Sequence, residues 1–403
     1  MAPMFEYEVR SENGQKIEGT LEAENESMLA QNLRKKGYYI LDIKRKREGF
    51  NLSDINLFQK KVKLNDLAVF ARQFSAMINS GISIIDALDI LRDQVDHPRL
   101  KEVVIAVTED IETGSDLSES LSKHPDVFPE LFVQMVKAGE TGGIIGDVLD
   151  RIANHYEKQD ELQGKVKSAL YYPITIMIIA LLVVLFLLTN VVPTFVSMFA
   201  GLGAELPLPT RILLGLSGFL QSYWWLLGLI LIALFFFFRN YRNTPEGRLK
   251  TDRMLLKIPQ IGTMLQKIYL SRFSSTLAVL LSSGVDLLAS LSIVEDVVGN
   301  KVYAQALTDA RIKVREGSTL SGPLSKKEEF PKLLVHMIKV GEESGAMSKM
   351  LNKVSMFYDR EVDRSVEGVV SIIEPVIIVF LAIVVGFVVI SIVMPMFDMY
   401  TYL

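Results

Sequence analysis

The side chains that carry most enzyme chemistry are sparse in this chain and poorly spaced for it. There is no cysteine, which excludes thiol catalysis, disulfides and cysteine-based metal sites and leaves the compartment open. The histidines His97, His124, His155 and His336 never fall at helical spacing from one another, and no His-Glu-x-x-His occurs, so no zinc site is expected. Gly-Lys-Ser/Thr is absent too, and with it the phosphate-binding loop of a nucleotide hydrolase. Acidic pairs such as Glu109/Asp110 and Glu342/Glu343 have the residue types of general acid–base work. They lack a partnering nucleophile and read as polar helix faces or loops. No catalytic, cofactor-binding or metal residue is assigned.

One constellation does recur. Val136-Lys137-Ala138-Gly139-Glu140-Thr141-Gly142-Gly143 returns as Val340-Gly341-Glu342-Glu343-Ser344-Gly345, with Gly139 meeting Gly341, Glu140 meeting Glu342 and Gly143 meeting Gly345 at one offset of 202 residues. Tyr156 and Tyr358, Pro173 and Pro375, and Pro193 and Pro395 match at the same offset. A glycine-rich turn can hold an anion at a helix N-terminus, but Glu140 would repel one. The plain reading is a helix–helix turn in which glycine supplies positive φ and Glu140 lies near the next helix's N-terminus. The alternative is contact with a partner. Pro173 and Pro375 stand where each copy turns apolar, and Glu374 is an ionisable group at that point, facing a neighbouring helix or the lipid headgroups. The candidate partner-contact or pivot residues are therefore Gly139, Glu140, Gly143, Gly341, Glu342, Gly345, Pro173, Glu374 and Pro375.

The elements that position these residues are largely membrane elements. Of 403 residues 49% are apolar, and the mean hydropathy of +0.28 is high for a soluble protein. Stretches 168–204, 212–238 and 375–397 hold no charged residue and exceed the roughly 20 residues a helix needs to cross a bilayer. Three transmembrane helices follow. The N-terminus is polar and alternating, so no cleavable signal peptide is expected. A net charge of −4 does not favour nucleic acid, and Lys44-Arg45-Lys46-Arg47 reads as part of a solvated linker.

In chain order, residues 5–10 and 17–21 alternate like a hairpin around Gly14. Asn25 can cap a short helix carrying Met28, Leu29 and Leu33, Gly37 ends it, and 38–43 has strand composition. Residues 1–47 are thus a small ββαβ module, and 48–63 its linker. A first cytoplasmic helical bundle spans 64–168. Leu67, Phe70, Phe74, Met77 and Ile78 form one stripe, Ser80-Gly81 stops that helix, Ser83 caps a second and Pro98 opens a third. Ser115 and Pro129 open a fourth and fifth, and a sixth helix leads from the Gly-Glu turn toward the membrane. The first span is 169–193, an outside loop 194–211, and the second span 212–238. The second bundle is 239–370, the third span 371–397, and the outside tail 398–403. In the second bundle Phe273, Leu277, Leu280 and Leu281 precede Ser283-Gly284, and Asp286 stands where Ser83 stood. The fold class is mainly α: a polytopic membrane protein with two repeated six-helix bundles, three spans and a small N-terminal module.

Lys165 and Lys167 precede the first span, Arg239, Arg242, Arg248 and Lys250 follow the second, and Arg360 and Arg364 precede the third. The loop 194–211 has one basic residue and the tail none. Both bundles and the N-terminus are therefore expected in the cytoplasm and the C-terminus outside. The unmatched second span returns the chain so that the second copy keeps the orientation of the first. Trp224 and Trp225 stand inside their apolar run rather than at its end, where they can mark the membrane interface.

Phe70-Ala71-Arg72-Gln73-Phe74 with Ser80-Gly81, the twin Gly-Glu turns, Tyr171-Tyr172-Pro173, Leu206-Pro207-Leu208-Pro209-Thr210 and Glu374-Pro375 resemble the PilC/GspF family, the inner-membrane platform proteins of type IV pili and type II secretion. The resemblance covers essentially the whole chain. The second turn departs from the first in having Glu343-Ser344 for Thr141-Gly142. The resemblance implies a non-enzymatic platform in the cytoplasmic membrane. Such a platform takes force from a separate cytoplasmic assembly ATPase, moves pilin or pseudopilin subunits into a filament, works beside inner-membrane alignment proteins and forms a homo-oligomer. Met77-Ile78-Asn79-Ser80-Gly81 and Pro395-Met396-Phe397-Asp398 lean toward the pilus branch; a type II secretion platform is the alternative. A secondary transporter would be a different class, since parallel repeats occur there, but three spans enclose little. A receptor is disfavoured by its short outside loop. The repeat is read as two levers, with Gly139 and Gly341 as their pivots.

Overall fold

The computed structural model describes residues 4–10, 16–22, 28–30, 37–45, 61–194 and 207–400. It divides into a unit of residues 1–60 and a unit of residues 61–403. In the first unit β1 (Met4–Arg10) lies between β2 (Lys16–Glu22) and β3 (Tyr39–Arg45), antiparallel to both. A bulge between Glu8 and Val9 shifts the β1–β3 register. The alternation is fulfilled on the inner face, where Phe5 and Val9 pack with Leu29 in a small core. Met28, expected to share that face, is exposed. Gly37 takes φ +80°, a left-handed value that suits glycine. Gly14, Asn25, Leu33 and most of the expected linker lie outside the described residues, as do 195–206 of the expected loop and 401–403 of the tail.

The second unit starts with α1 (Leu64–Asn79), α2 (Ile84–Gln94) and α3 (Pro98–Glu112). Ser83 caps α2 by accepting from the Asp86 N–H at 3.2 Å, and Pro98 occupies the first turn of α3. The fourth helix, α4 (Leu117–Ser122), has Asp116 rather than Ser115 at its N-cap. Next come α5 (Glu130–Gly142) and α6 (Ile145–Phe186), which continues through a π-helical turn, Leu187–Val191. The stripe read from α1 enters the core: Phe70 meets Phe74, Phe128 and Phe132, with ring centroids 5.6–6.4 Å apart, and Phe128 meets Phe132 at 4.9 Å.

The second span is α7 (Leu208–Asn243), so 208–211, expected in the loop, are helical. It departs from helical geometry at Tyr223 (φ −121°, ψ 17°), directly before Trp224 and Trp225. An unforeseen helix follows, α8 (Pro245–Lys257). The copy proper is α9 (Ile261–Ser282), α10 (Leu287–Val297), α11 (Lys301–Arg315), α12 (Ser321–Leu324), α13 (Lys332–Ser344) and α14 (Met347–Tyr400). Asp286 caps α10 through the Leu288 N–H at 2.9 Å, keeping the role of Ser83. Where the first copy buries phenylalanines, the second buries Phe273, Tyr303 and Phe330, 5.5–5.6 Å apart.

The two bundles are not separate bodies: one cluster of buried side chains runs from Leu67 to Tyr156 in the first and from Leu270 to Tyr358 in the second. Among the described residues three helices are long and apolar enough to cross a membrane: Ile145–Thr194, Leu208–Asn243 and Met347–Met394. Phe235, Phe236, Phe237 and Phe238 stand exposed on α7, as lipid-facing side chains do. Leu188, Val192, Leu213 and Val388 bring all three spans together.

Candidate functional site

The Gly-Glu turns are helix-packing devices. Gly139 and Gly341 lie inside α5 and α13, not in the turns themselves; the left-handed residues are Gly143 (φ +64°) and Gly345 (φ +67°). Packing sets the position of Gly139. A Cβ there would stand 3.1 Å from the Val148 side chain, and one at Gly341 2.9 Å from the Met347 Cα. Each glycine is thus the point where a helix touches the long helix that follows it. The Ile144 N–H then reaches back to the Gly139 carbonyl at 2.9 Å, and the Ala346 N–H to that of Gly341 at 3.0 Å, closing matched helix ends.

Glu140 does not serve the next helix's N-terminus. Its half-buried carboxylate turns back to α4 and accepts from the N–H groups of Leu117 and Ser118 at 2.6 and 3.0 Å. Glu342 does the same for α12, accepting from the Leu320 N–H, the Ser321 N–H at 3.2 Å and the Ser321 hydroxyl at 2.5 Å. A carboxylate against the free N–H groups of a helix start satisfies donors that would otherwise be orphaned. The same role in both copies, a carboxylate on the start of the short helix, accounts for the recurrence of the pair Gly-Glu.

Beside the first turn, Arg72 of α1 clamps α6. It donates to both Glu157 oxygens at 3.0 and 2.7 Å, to Asn154 at 2.7 Å and to Asp150. The Arg72 hydrogen bond holds the Glu157 carboxyl below its ordinary range. Further down, α6 meets α14. Lys158 pairs with Asp359 at 2.5 Å and donates to the Ser355 hydroxyl at 2.9 Å, and Lys165 reaches Asp363 at 3.4 Å. Leu162, Val166 and Ala169 pack there against Val362, Val366 and Val369. The expected levers therefore share a seam above the membrane. His155, on α6, is 6% exposed, and burial, with help from Lys158, pushes its ring down to about 4.

The membrane candidates are not equivalent. Pro173 is buried within α6, whereas Pro375 and Glu374 are exposed on α14. The side chains of Pro395, Met396 and Asp398 lie outside the described residues.

The family pattern described as type II secretion system (T2SS), protein F matches residues 70–193 and again 273–395, and that of its N-terminal domain matches 1–44. The chain belongs to the type II secretion system protein F family. Each matched block of this protein F family member holds a bundle and the span that continues it, the same unit that the sequence repeats. Among its relatives is the type IV pilus assembly protein PilC of Thermus thermophilus, 39% identical over 98% of both chains. That of Myxococcus xanthus is 41% identical over 82% of this chain and 79% of the relative. The type II secretion system protein F of Vibrio cholerae is 31% identical over 98% of both. In this member of the family the sequence motifs pointed to the turns and missed their surroundings. Arg72 was visible only as part of Phe-Ala-Arg-Gln-Phe, and its partners Asp150, Asn154 and Glu157, at intervals of four and three on α6, were the signal for its clamp.

Proposed function

We propose that the chain is the inner-membrane platform of a type IV pilus assembly machine, coupling a cytoplasmic assembly ATPase to the insertion of pilin subunits into a filament. The observation that carries this reading is the pair of long continuous helices, Ile145–Thr194 and Met347–Tyr400, which start in one shared core and run through the apolar layer. At 1.5 Å per residue they are about 75 and 80 Å long, against a hydrocarbon layer of about 30 Å. More than half of each is thus a stiff, packed extension that can carry displacement at one end to the other, since protein interiors compress little. The flanking lysines and arginines support bundles in the cytoplasm and a C-terminus outside. The reading assigns no catalytic step. It pairs the bundles with the ATPase, the spans with pilins, and the whole with alignment proteins and further copies of itself.

The pilus branch is favoured by the higher identity to the relatives named for pilus assembly, 39% and 41%, than to the protein F relative at 31%. The second reading, a type II secretion platform acting on pseudopilins, draws on the matched family pattern. Deleting the gene separates them: loss of surface filaments with secretion intact is expected, and loss of secreted proteins with filaments intact would overturn the pilus reading.

A further inference from the structure

A cavity of ≈ 360 Å³ between α6 and α14 is lined only by apolar side chains such as Ile176 and Leu381, and nothing about it selects an occupant. The cytoplasmic junction of the two copies is different. There α6, α9 and α14 border a half-open cavity of ≈ 440 Å³ lined by Arg151, Lys158 and Lys349 with Ser275, Ser282 and Ser348, and by no Asp or Glu. The repeat explains its origin. Ser275 occupies the position of Arg72 and Asn352 that of Asp150, so the clamp that fills this space in the first copy is replaced in the second by two short polar side chains. The first copy then lends its own cations to the hollow.

We propose that this cavity binds a soluble anion carrying two or three linked phosphates, which bridges the two copies at the head of the seam. Arg151 donates to the Ser282 carbonyl and, like Lys349, has no carboxylate partner among the described residues, so both have charge to give. Lys158 is held by Asp359 and adds a third positive charge at the wall. Arginine offers phosphate a planar fork of donors, and lysine a point charge. A volume of ≈ 440 Å³ exceeds what a single phosphate needs and lies within the range of small-ligand sites. A lipid headgroup is the other source of phosphate. Yet Lys158 and Arg151 stand about 15 and 25 Å of helix before Ser168, where the charge-free stretch begins, so the soluble source is the one the geometry fits. The proposal does not depend on the pilus reading, since it concerns binding alone.

The test uses the full chain in phosphatidylcholine nanodiscs, titrated calorimetrically with pyrophosphate and tripolyphosphate. One-to-one binding is expected, weakened about tenfold or more by the double variant Arg151→Gln/Lys349→Gln, in line with the loss of two charge-assisted contacts. Lys339→Gln, at an exposed ion pair with Glu343 on α13, should leave it unchanged. If the double variant does not fold, Ser275→Phe decides, because it fills the hollow with a large side chain that carries no charge and should block binding in a folded chain. Equal affinity in Ser275→Phe or in a folded double variant, or no binding by the wild type at millimolar ligand, overturns the proposal. So does competition by phosphatidylglycerol introduced into the nanodisc, which would assign the cations to lipid.

Discussion

The smallest side chains at the site set the distance between helices. Gly139 meets chiefly the side chain of Val148, which can give by a few tenths of an ångström, whereas Gly341 meets the Met347 Cα, part of a backbone that cannot. Overpacking of such contacts costs about 1–3 kcal/mol. Gly341→Ala should therefore lower the melting temperature of the purified protein more than Gly139→Ala; the reverse order would contradict the packing account of the two positions. Valine at either should impair filament formation while the chain still inserts in the membrane, and normal filaments in both variants would end the pivot reading. His155 makes a second residue-scale prediction. Its folded value of about 4 lies below its ordinary 6.5, so the unfolded chain binds the proton first. The stability it contributes is complete above about pH 7 and is lost as pH falls from 6.5 toward 4, by about 3 kcal/mol in total. Thermal melts between pH 7.5 and 5 should show His155→Gln closing on the wild type as the pH drops, and parallel curves would refute it.

At the scale of elements, α7 is the span without a counterpart, and hydrogen bonds stitch it to the other two. The π-helical turn Leu187–Val191 opens the ladder of the first span, and its carbonyls at Leu188 and Thr189 accept from Ser217 at 2.5 Å and Gln221 at 3.0 Å. Thr210 donates to the Ser391 carbonyl of α14 at 2.6 Å. Interhelical bonds of this kind average about 0.6 kcal/mol. Ser217→Ala/Gln221→Leu should therefore lower the melting temperature in nanodiscs, whereas Ser371→Ala, whose hydroxyl bonds within its own helix, should not. The caps at Ser83 and Asp286, the stops at Gly81 and Gly284 and the three apolar runs were legible in the sequence, because each is decided within a turn or two of chain. The partner of Glu140 was not, since Leu117 lies 23 residues upstream, and neither was the seam, since Lys158 and Ser355 are 197 apart. Periodicity says which face is buried but not what buries it. Helix α8 was overlooked because its Arg248 and Lys250 read as juxtamembrane charge.

At the scale of the whole molecule, the joined copies are expected to act as one strut, where the sequence suggested two levers. Two copies that merely sat side by side could each respond to a push separately. Here the bundles share a core and the helices leaving them are joined by Lys158, Lys165 and the apolar contacts between, while α7 ties their membrane halves. A load applied to either bundle should then be borne by both spans. Because the chain has no cysteine, an introduced pair is unique, and Lys158→Cys/Ser355→Cys bridged by a short bismaleimide would fix α6 to α14 where they already touch. Filament assembly should survive the bridge, because the two helices move together. Assembly that is normal in the unbridged double variant and lost on bridging would mean that the helices slide past one another in each cycle, and would return the molecule to a pair of levers.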